Sequence, residues 1–414
     1  MKQALLAVVL FLPQDPDPAA EYRSRVEGAP KFAAAIPMIL AAMASPKTMR
    51  WDDSGVRFAR PVRWLLALYG SQKVPCSWGR LRSGNLTYGT RRSGPKVISV
   101  KGVSSYFTAM RRLKVQLEEG LPLRRKEDGT VEPGPFHPRK REELLKRLRA
   151  AALGVKGRLA DEATDEFNWL LNTVTFLAED PVVQVGSFQK AYLDLPPEVL
   201  ATSMAKHLKL FSVYTPDGRK LLPCFLAVLE GRPTKVLRGM ANYERILEAR
   251  FADARFFYRE DTRTPLEEKV EELGKVVFHE ELGSVADRIP RLDRLMHSIA
   301  QGLQLSKKLS AMIPRVARLS KADLVTQMVR EFPSLQGIIG AHYVRHEGEP
   351  EEVARAIAEQ YRPRVVSDPV PSTWLGAILS LADRVDTLVG YFGVGLKSSG
   401  SLDPYALRRQ ASGL

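Results

Sequence analysis

The spacing of apolar residues along the 414-residue chain changes near residue 240. Before that point, short apolar runs such as VRWLLALYG and KVISV alternate with turn signals such as SGN and RSGP. This alternation is typical of strands joined by tight turns, with helical stretches between them, so we predict an α+β domain over 1–240. From 241 to 400, apolar residues recur at i, i+3 and i+4, which predicts an all-α domain of roughly seven helices.

The first twenty residues, MKQALLAVVLFLPQDPDPAA, contain one continuous apolar run. The run is too short to span a bilayer. We predict a buried strand that ends at Pro13 and Pro16, and the alternative is the apolar region of a short secretory signal.

Two later segments carry turn signals. Asp217 and Gly218 lie between two β-prone arms, which predicts a hairpin in TPDGRKLLPCFLAVLEG. The glycines of GYFGVGL follow a helical pattern instead of a strand, so they predict a helix C-terminus and a turn, not a dinucleotide-binding loop.

The final segment, SLDPYALRR, predicts a helix that begins with Asp403 as N-cap and Pro404 as first helical residue. The sequence ends soon afterwards, at Leu414, so we expect the start of this helix to have no packing partner. We therefore expect 401–414 to be the start of a further region and the chain to be truncated.

Positive charge is concentrated in the first part of the chain. The net charge is +15, and residues 50–101 hold eleven Lys and Arg against only Asp52 and Asp53. A dense basic surface is the electrostatic signature of a nucleic-acid binder, because each neutralised phosphate releases a condensed counterion. The alternative is a solvated basic face with no such partner.

The sequence lacks the characteristic motifs of several enzyme classes. The sequence contains no GxxxxGK[ST] phosphate loop, no GxSxG elbow and no HExxH zinc helix. Cys76 and Cys224 are far apart and match no CxxC pattern, which argues against a zinc finger or a disulfide scaffold and suits a reducing cytosol.

The helical domain carries an incomplete metal-ligand pattern. His297, Asp323 and Asp383 resemble positions of the ligand set of HD-superfamily phosphohydrolases, which binds a divalent ion that activates water. Ala322 stands where that set has its central histidine, and alanine cannot coordinate a metal. We predict an HD-like scaffold without a working site, in which Asp383 and Asp386 cap or pair with Arg384 or Arg288. The alternative is a metal-dependent phosphohydrolase acting on nucleotides.

Aromatic and basic residues alternate in FADARFFYRED, residues 251–261. Such interleaving can stack bases while binding phosphates. At helical spacing, however, we expect the aromatic residues, Phe256 and Phe257 among them, to be core. Arg250, Arg255 and Arg259 remain candidate RNA contacts.

Several long, collinear strings resemble the beta subunit of bacterial heterotetrameric glycyl-tRNA synthetase, from about Glu21 to the end. They are PKTMRWDDSGVRFARPVRWLLALYG, LPPEVLATSMAKHLKLFSVYTPDGRKLLPCFLAV, ERILEARFADARFFYREDTRTPLEEKVEELGKVVFHEELGS, SKADLVTQMVREFPSLQGIIG, AIAEQYRPR and LADRVDTLVGYFGVGLKSSGSLDPYALRRQASG. The resemblance implies a B3/B4-like domain followed by a degenerate HD-like domain. It further implies a chain that lacks the catalytic core and positions glycine tRNA for the alpha subunit.

The same resemblance sets the other expectations. This chain binds no cofactor, ATP and Mg are used by the alpha subunit, the assembly is alpha2-beta2, and the location is cytoplasmic. The family's opening strand motif and its anticodon-binding region have no counterpart here, and GTRR, MAKHLKLF and ANYER differ from the usual strings. The residues expected to contact tRNA are Arg50, Arg57, Arg60, Arg63, Arg91, Arg92, Lys206, His207, Arg250, Arg255, Arg408 and Arg409.

Overall fold

The computed structural model describes most of the chain. The described residues are 7–9, 31–43, 47–59, 61–89, 97–113, 115, 123–125, 131–133, 139–231, 236–365, 368–396 and 405–414. They form two compact units that interleave along the sequence: Met1–Leu148 with Leu171–Val183 and Val228–Thr234, and Arg149–Leu170 with Gln184–Ala227 and Lys235–Leu414. The domain bounds 1–240, 241–400 and 401–414 stay predictions.

The strands are short and most lie before residue 231. They are β1 (Ala7–Val9), β2 (Met49–Arg50), β3 (Arg57–Phe58), β4 (Leu65–Tyr69), β5 (Gln72–Lys73), β6 (Ser77–Trp78), β7 (Leu81–Gly84), β8 (Leu86–Tyr88), β9 (Val97–Ser99), β10 (Leu123–Arg125), β11 (Val131–Pro133), β12 (Arg158–Leu159), β13 (Pro181–Ser187), β14 (Phe211–Tyr214), β15 (Leu221–Glu230), β16 (Val277–His279) and β17 (Gly283–Ser284).

Helices dominate the second half. They are α1 (31–42), α2 (Val103–Arg112), α3 (Arg139–Gly154), α4 (Asp165–Leu177), α5 (Pro197–Thr202), α6 (Val236–Asp261), α7 (Leu266–Lys269), α8 (Val285–Gly302), α9 (Lys307–Ser310), α10 (Ile313–Leu319), α11 (Gln327–Glu331), α12 (Ile338–His346), α13 (Glu351–Glu359), α14 (Trp374–Gly393) and α15 (Leu407–Gly413). A mixed α/β region followed by a helical region is therefore confirmed. The prediction that 241–400 is all-α is wrong in one respect, because the antiparallel pair β16–β17 lies within it. Among the described helices, none combines the length and the apolar character needed to cross a membrane.

The first unit is built around β4, every residue of which is buried. β4 pairs in parallel with β1 and with β7, so the predicted N-terminal strand is confirmed over Ala7–Val9. Because side chains alternate along a strand, Leu65 and Ala67 face α1, while Leu66 and Leu68 pack with α2. This two-sided burial explains why LLALY is continuously apolar.

The Asp217-Gly218 hairpin is confirmed. β14 and β15 are antiparallel neighbours in a four-stranded sheet of order β12-β14-β15-β13. The turn holds because Gly218 adopts a φ of 75° and because Asp217 Oδ1 accepts hydrogen bonds from the Thr215 hydroxyl and the Arg219 amide.

In the helical part of the second unit, α14 packs against α8 and α13. Ser284 and Asp287 form a capping box that fixes the start of α8. The predicted end of α14 is confirmed, since the helix stops at Gly393 and Gly395 takes a φ of 80°.

The prediction for the C-terminal helix is wrong in its start. α15 begins at Leu407, after Ala406 in the left-handed region, and Asp403 and Pro404 lie outside the described residues. The helix also has a packing partner, because Leu407 is buried against Leu388 and Tyr391 of α14. The expectation of a helix start with nothing to pack on is therefore wrong.

Candidate nucleic-acid interface and a buried acidic cluster

Two buried carboxylates of α14 meet cations from α8 and from the turn after α10. Asp383 and Asp386 are three residues apart, which places them on one helix face. Arg288 donates from Nη2 to Asp383 Oδ1 and from Nε to Asp386 Oδ2, both at 2.9 Å. Arg291 Nε lies 2.6 Å from Asp386 Oδ1. The predicted pairing with Arg288 is confirmed.

Lys321 supplies a further cation to the same cluster. Its Nζ lies 3.0 Å from Asp383 Oδ1 and 4.2 Å from the centre of the Tyr361 ring, and the side chain is 2% exposed. Burial lowers the pKa of Lys321, and Asp383 opposes that shift. Burial acts to raise the pKa of Asp383, but the cations Lys321 and Arg288 hold this pKa below its ordinary value. An ammonium group thus acts as the counter-ion of a carboxylate that the sequence pattern assigns to a metal.

Asp323 has a different role, which is to fix the start of α12. Its Oδ2 accepts backbone hydrogen bonds from Gly337 at 2.5 Å and from Gly340 at 3.1 Å. Gly337 has a φ of 79°, which favours glycine, and a Cβ on Gly340 would lie 3.0 Å from the carboxylate, so Asp323 would have to shift to admit one. Oδ1 has no partner among the described residues, and burial raises the pKa of Asp323 to about 6.

The structure does not gather His297, Asp323 and Asp383 into one ligand set. His297 is exposed on α8, with its Nδ1 2.9 Å from the Asp293 carbonyl oxygen of the preceding turn. Within the described part of the chain, no group of three or more His, Cys, Asp or Glu could hold a metal ion. The acidic positions instead stabilise the scaffold.

Arg50 and Arg57 lie opposite each other on the exposed β2–β3 pair of the first unit. Arg57 donates to the carbonyl and hydroxyl oxygens of Thr48, which leaves its charge without a carboxylate partner in the described ranges. Arg63 is also exposed. The expected contacts Arg60, Arg91 and Arg92 lie outside the described residues.

A second group of cations, the Lys206 cluster, comprises Lys206, His207, Lys209 and Arg250 of the second unit. Lys206 Nζ donates to the Ser334 hydroxyl, and Lys209 Nζ donates to the Lys206 carbonyl at 2.8 Å. Neither lysine has a carboxylate partner in the parts of the chain that the structure describes, whereas Arg250 Nη1 lies 3.6 Å from Glu331 Oε1. Burial and the charge of Arg250, with smaller contributions from both lysines, lower the pKa of His207, although Glu331 opposes them. The cluster is therefore a site of excess positive charge.

The remaining expected contacts differ in their surroundings. Arg255 lies over the Tyr192 ring at 4.5 Å, and Arg259 pairs with Asp194 at 3.6 Å, so both are engaged within the protein. Phe251 is buried and packs against Phe188 as expected. The expectation that Phe256 is core is wrong, because it is 57% exposed on the outer face of α6.

Arg409 lines a cleft of about 600 Å³ beside the acidic cluster, whereas Arg408 is exposed on the same short helix. Four further arginines line this cleft: Arg345, Arg362, Arg364 and Arg384. Arg384 was expected as a partner of Asp383 or Asp386, but it donates to the carbonyl oxygens of Tyr361 and Pro363 and to Gln410 Oε1. Sequence reasoning missed Arg345, Arg362, Arg364 and Lys209, although EQYRPR and KHLKLF show how dense the basic residues are.

The chain belongs to the glycyl-tRNA synthetase beta subunit family, whose sequence model matches residues 21–128 and 134–414. Among its relatives is the glycine–tRNA ligase beta subunit of Moorella thermoacetica, 40% identical over 393 residues. That of Desulforamulus reducens is 39% identical over 393 residues, and that of Nitratidesulfovibrio vulgaris is 40% identical over 412 residues. These alignments cover 94%, 94% and 99% of this chain. They cover 53%, 53% and 55% of the relatives, so the chain spans about half their length.

Proposed function

We propose that this chain binds and positions glycine tRNA as the non-catalytic beta component of a glycine–tRNA ligase. Glycine would be activated with ATP and Mg by a partner alpha subunit in an alpha2-beta2 assembly in the cytoplasm. In this proposal the mixed region is a B3/B4-like module. The helical region is an HD-like module whose acidic positions are neutralised from within, so this chain itself holds no cofactor.

The observation that carries the proposal is the Lys206 cluster. Its two lysines lack carboxylate partners within the described ranges, and the pKa of His207 is lowered in part by the neighbouring cations. Cations left in excess on a folded surface attract a polyanion, and the gain on binding comes from release of its counterions. The family membership makes glycine tRNA the polyanion that we propose.

The proposed function is tested by measuring the affinity of the chain for a glycine tRNA transcript from low to high salt. We expect log Kd against log salt to rise with a slope of several units, because several phosphates are contacted. Mixing the chain with an alpha subunit is expected to restore glycylation that neither component performs alone. Undetectable or salt-insensitive tRNA binding would contradict the proposal.

Replacing both Lys206 and Lys209 with alanine is expected to weaken tRNA binding about tenfold at low salt and to reduce the salt slope by about one to two units, one for each lost phosphate contact. A matched control replaces Arg263 and Lys308 of the same unit with alanine. Those cations are exposed and paired with Glu260 and Glu352, so tRNA affinity should change less than twofold. Equal losses in the two variants would show that only net charge matters.

The basic stretch of the first unit makes a separate prediction. Replacing Arg57, Arg60 and Arg63 together is expected to weaken tRNA binding more than replacing Arg124 and Arg125 in β10. The reason is that Arg57 is held by the uncharged groups of Thr48 and keeps its full positive charge for a phosphate. Filter binding at one fixed salt concentration measures the loss of tRNA affinity in each variant. A larger loss in the Arg124 and Arg125 variant would contradict the prediction.

A further inference from the structure

Trp169 is an exposed aromatic side chain beside the Lys206 cluster. It lies on α4 and remains 47% exposed, while Phe167 two residues earlier is buried against Phe211 of β14. Lys209 Nζ lies 4.4 Å from the centre of the Trp169 ring. One face of the indole is thus covered by a cation, and a large part of the side chain is open to solvent.

The position of Lys209 is fixed by an unusual backbone. Ser203–Leu208 form a single π-helical turn, a feature found often at functional sites, and Lys209 ends it with a φ of 58°. A lysine in the left-handed region is strained and persists only where the surroundings enforce it. Here the ring of Trp169 and the Lys206 carbonyl oxygen both hold the ammonium.

The charges around the indole suit a phosphate chain. Lys206 and Lys209 lack carboxylate partners within the described residues, and Arg250 lies near enough to His207 to affect its protonation. Aromatic side chains set among cations are how proteins hold unpaired nucleotides, since each base can stack while its phosphates are neutralised. Protein–protein interfaces are depleted in lysine relative to the rest of the surface, so two lysines without carboxylate partners favour a nucleic acid here.

We propose that Trp169, with Lys209 on one of its faces, is a stacking platform for one unpaired base of the bound RNA. The phosphates that flank this base would lie against Lys206, Lys209 and Arg250. This inference rests on the proposed RNA-binding function and names a contact that the basic residues alone do not imply.

The test compares Trp169→Leu and Trp169→Phe in binding a glycine tRNA transcript. Leucine keeps an apolar side chain over Lys209 but cannot stack a base, so affinity should fall about tenfold, within the range that one stacked base contributes. Phenylalanine should recover most of that loss. Because no phosphate contact is removed, the salt slope should stay unchanged in both variants, and thermal unfolding should confirm that both are folded.

Trp374→Leu is the matched control, because Trp374 is 61% exposed at the start of α14 in the same unit and has no cation over its ring among the described contacts. Its tRNA affinity should equal that of the unaltered chain. Binding of the transcript should also quench the fluorescence of Trp169, and this quenching should be missing in Trp169→Leu.

Three outcomes would overturn the stacking platform. The first is unchanged tRNA affinity in Trp169→Leu, and the second is an equal loss of affinity in Trp374→Leu. The third is a Trp169→Leu chain that binds tRNA normally but no longer associates with the alpha subunit. In each case the unaltered chain still binds RNA with a steep salt dependence, so the proposed function survives. If the unaltered chain binds no RNA at all, the proposed function itself has failed.

Discussion

Replacing Lys321 with methionine is expected to lower the free energy of unfolding by about 3–5 kcal/mol, the usual cost of removing one partner of a buried ion pair. Methionine has a similar length and no charge, so the change removes the ammonium that lies 3.0 Å from Asp383 Oδ1. Asp383 remains buried and loses a donor, and Tyr361 loses the cation against its ring. Urea unfolding of the full chain measures the effect.

A double-mutant cycle separates the ion pair from a simple packing defect. Asp383→Asn alone should also destabilise, because Lys321 then lacks its counter-ion. The double variant should be more stable than the sum of the two losses by about 2 kcal/mol or more, because neither charge is left unpaired. Lys308→Met, at a lysine side chain that is 77% exposed, should change stability by at most about 0.5 kcal/mol. Strict additivity would contradict the pairing.

Replacing Asp323 with asparagine is expected to change how stability depends on pH. Burial raises the pKa of Asp323 to about 6 in the folded chain, against an ordinary value of 3.8. Below the ordinary value both states hold the proton, and the folded state suffers no penalty. Between the ordinary value and 6, the unfolded carboxyl ionises while the buried one keeps its proton, so stability falls as the pH rises towards 6, and a shift of about two pKa units corresponds to about 3 kcal/mol of lost stability.

Asparagine cannot ionise, and its side-chain oxygen can still accept from the Gly337 and Gly340 amides. The stability of Asp323→Asn relative to the unaltered chain should therefore rise by about 2.5 kcal/mol between pH 4 and pH 7.5. Asp323→Ala serves as the comparison, because it also leaves two buried amides without an acceptor and should be less stable than Asp323→Asn at every pH. The outcome that contradicts this prediction is a constant stability difference between Asp323→Asn and the unaltered chain at all pH values. It would show that burial does not raise the pKa of the Asp323 carboxyl.

Local chemistry explains what the sequence predicted well. The Asp217-Gly218 turn needs only a glycine at positive φ and an aspartate that bonds its own backbone, and both requirements are visible in the residue order. The apolar run VRWLLALYG and the turn signals around it predicted a β-rich region, which holds strand β4, and the apolar spacing after residue 240 predicted the helical region. The glycines of GYFGVGL marked a helix end for the same local reason.

Predictions failed where distant segments decide the outcome. Phe256 is exposed because it lies on the face of α6 that points to solvent. Where aromatic residues are adjacent in one helix, the apolar spacing alone does not show which of them faces the core. α15 starts after Ala406, whose backbone is left-handed, and packs through Leu407 against Tyr391, and neither feature is visible in the order of residues near the predicted start. Lys321 went unnoticed beside the Ala322-Asp323 pair, because lysines are rarely fully buried and its partner lies on another helix.

The internal counter-ions of the helical unit have a practical consequence for experiments with divalent ions. Asp383 and Asp386 are neutralised by Arg288, Arg291 and Lys321, all covalently part of the chain. Chelating agents should therefore leave this cluster intact. In a tRNA titration the magnesium concentration can then be varied without displacing a counter-ion from this cluster.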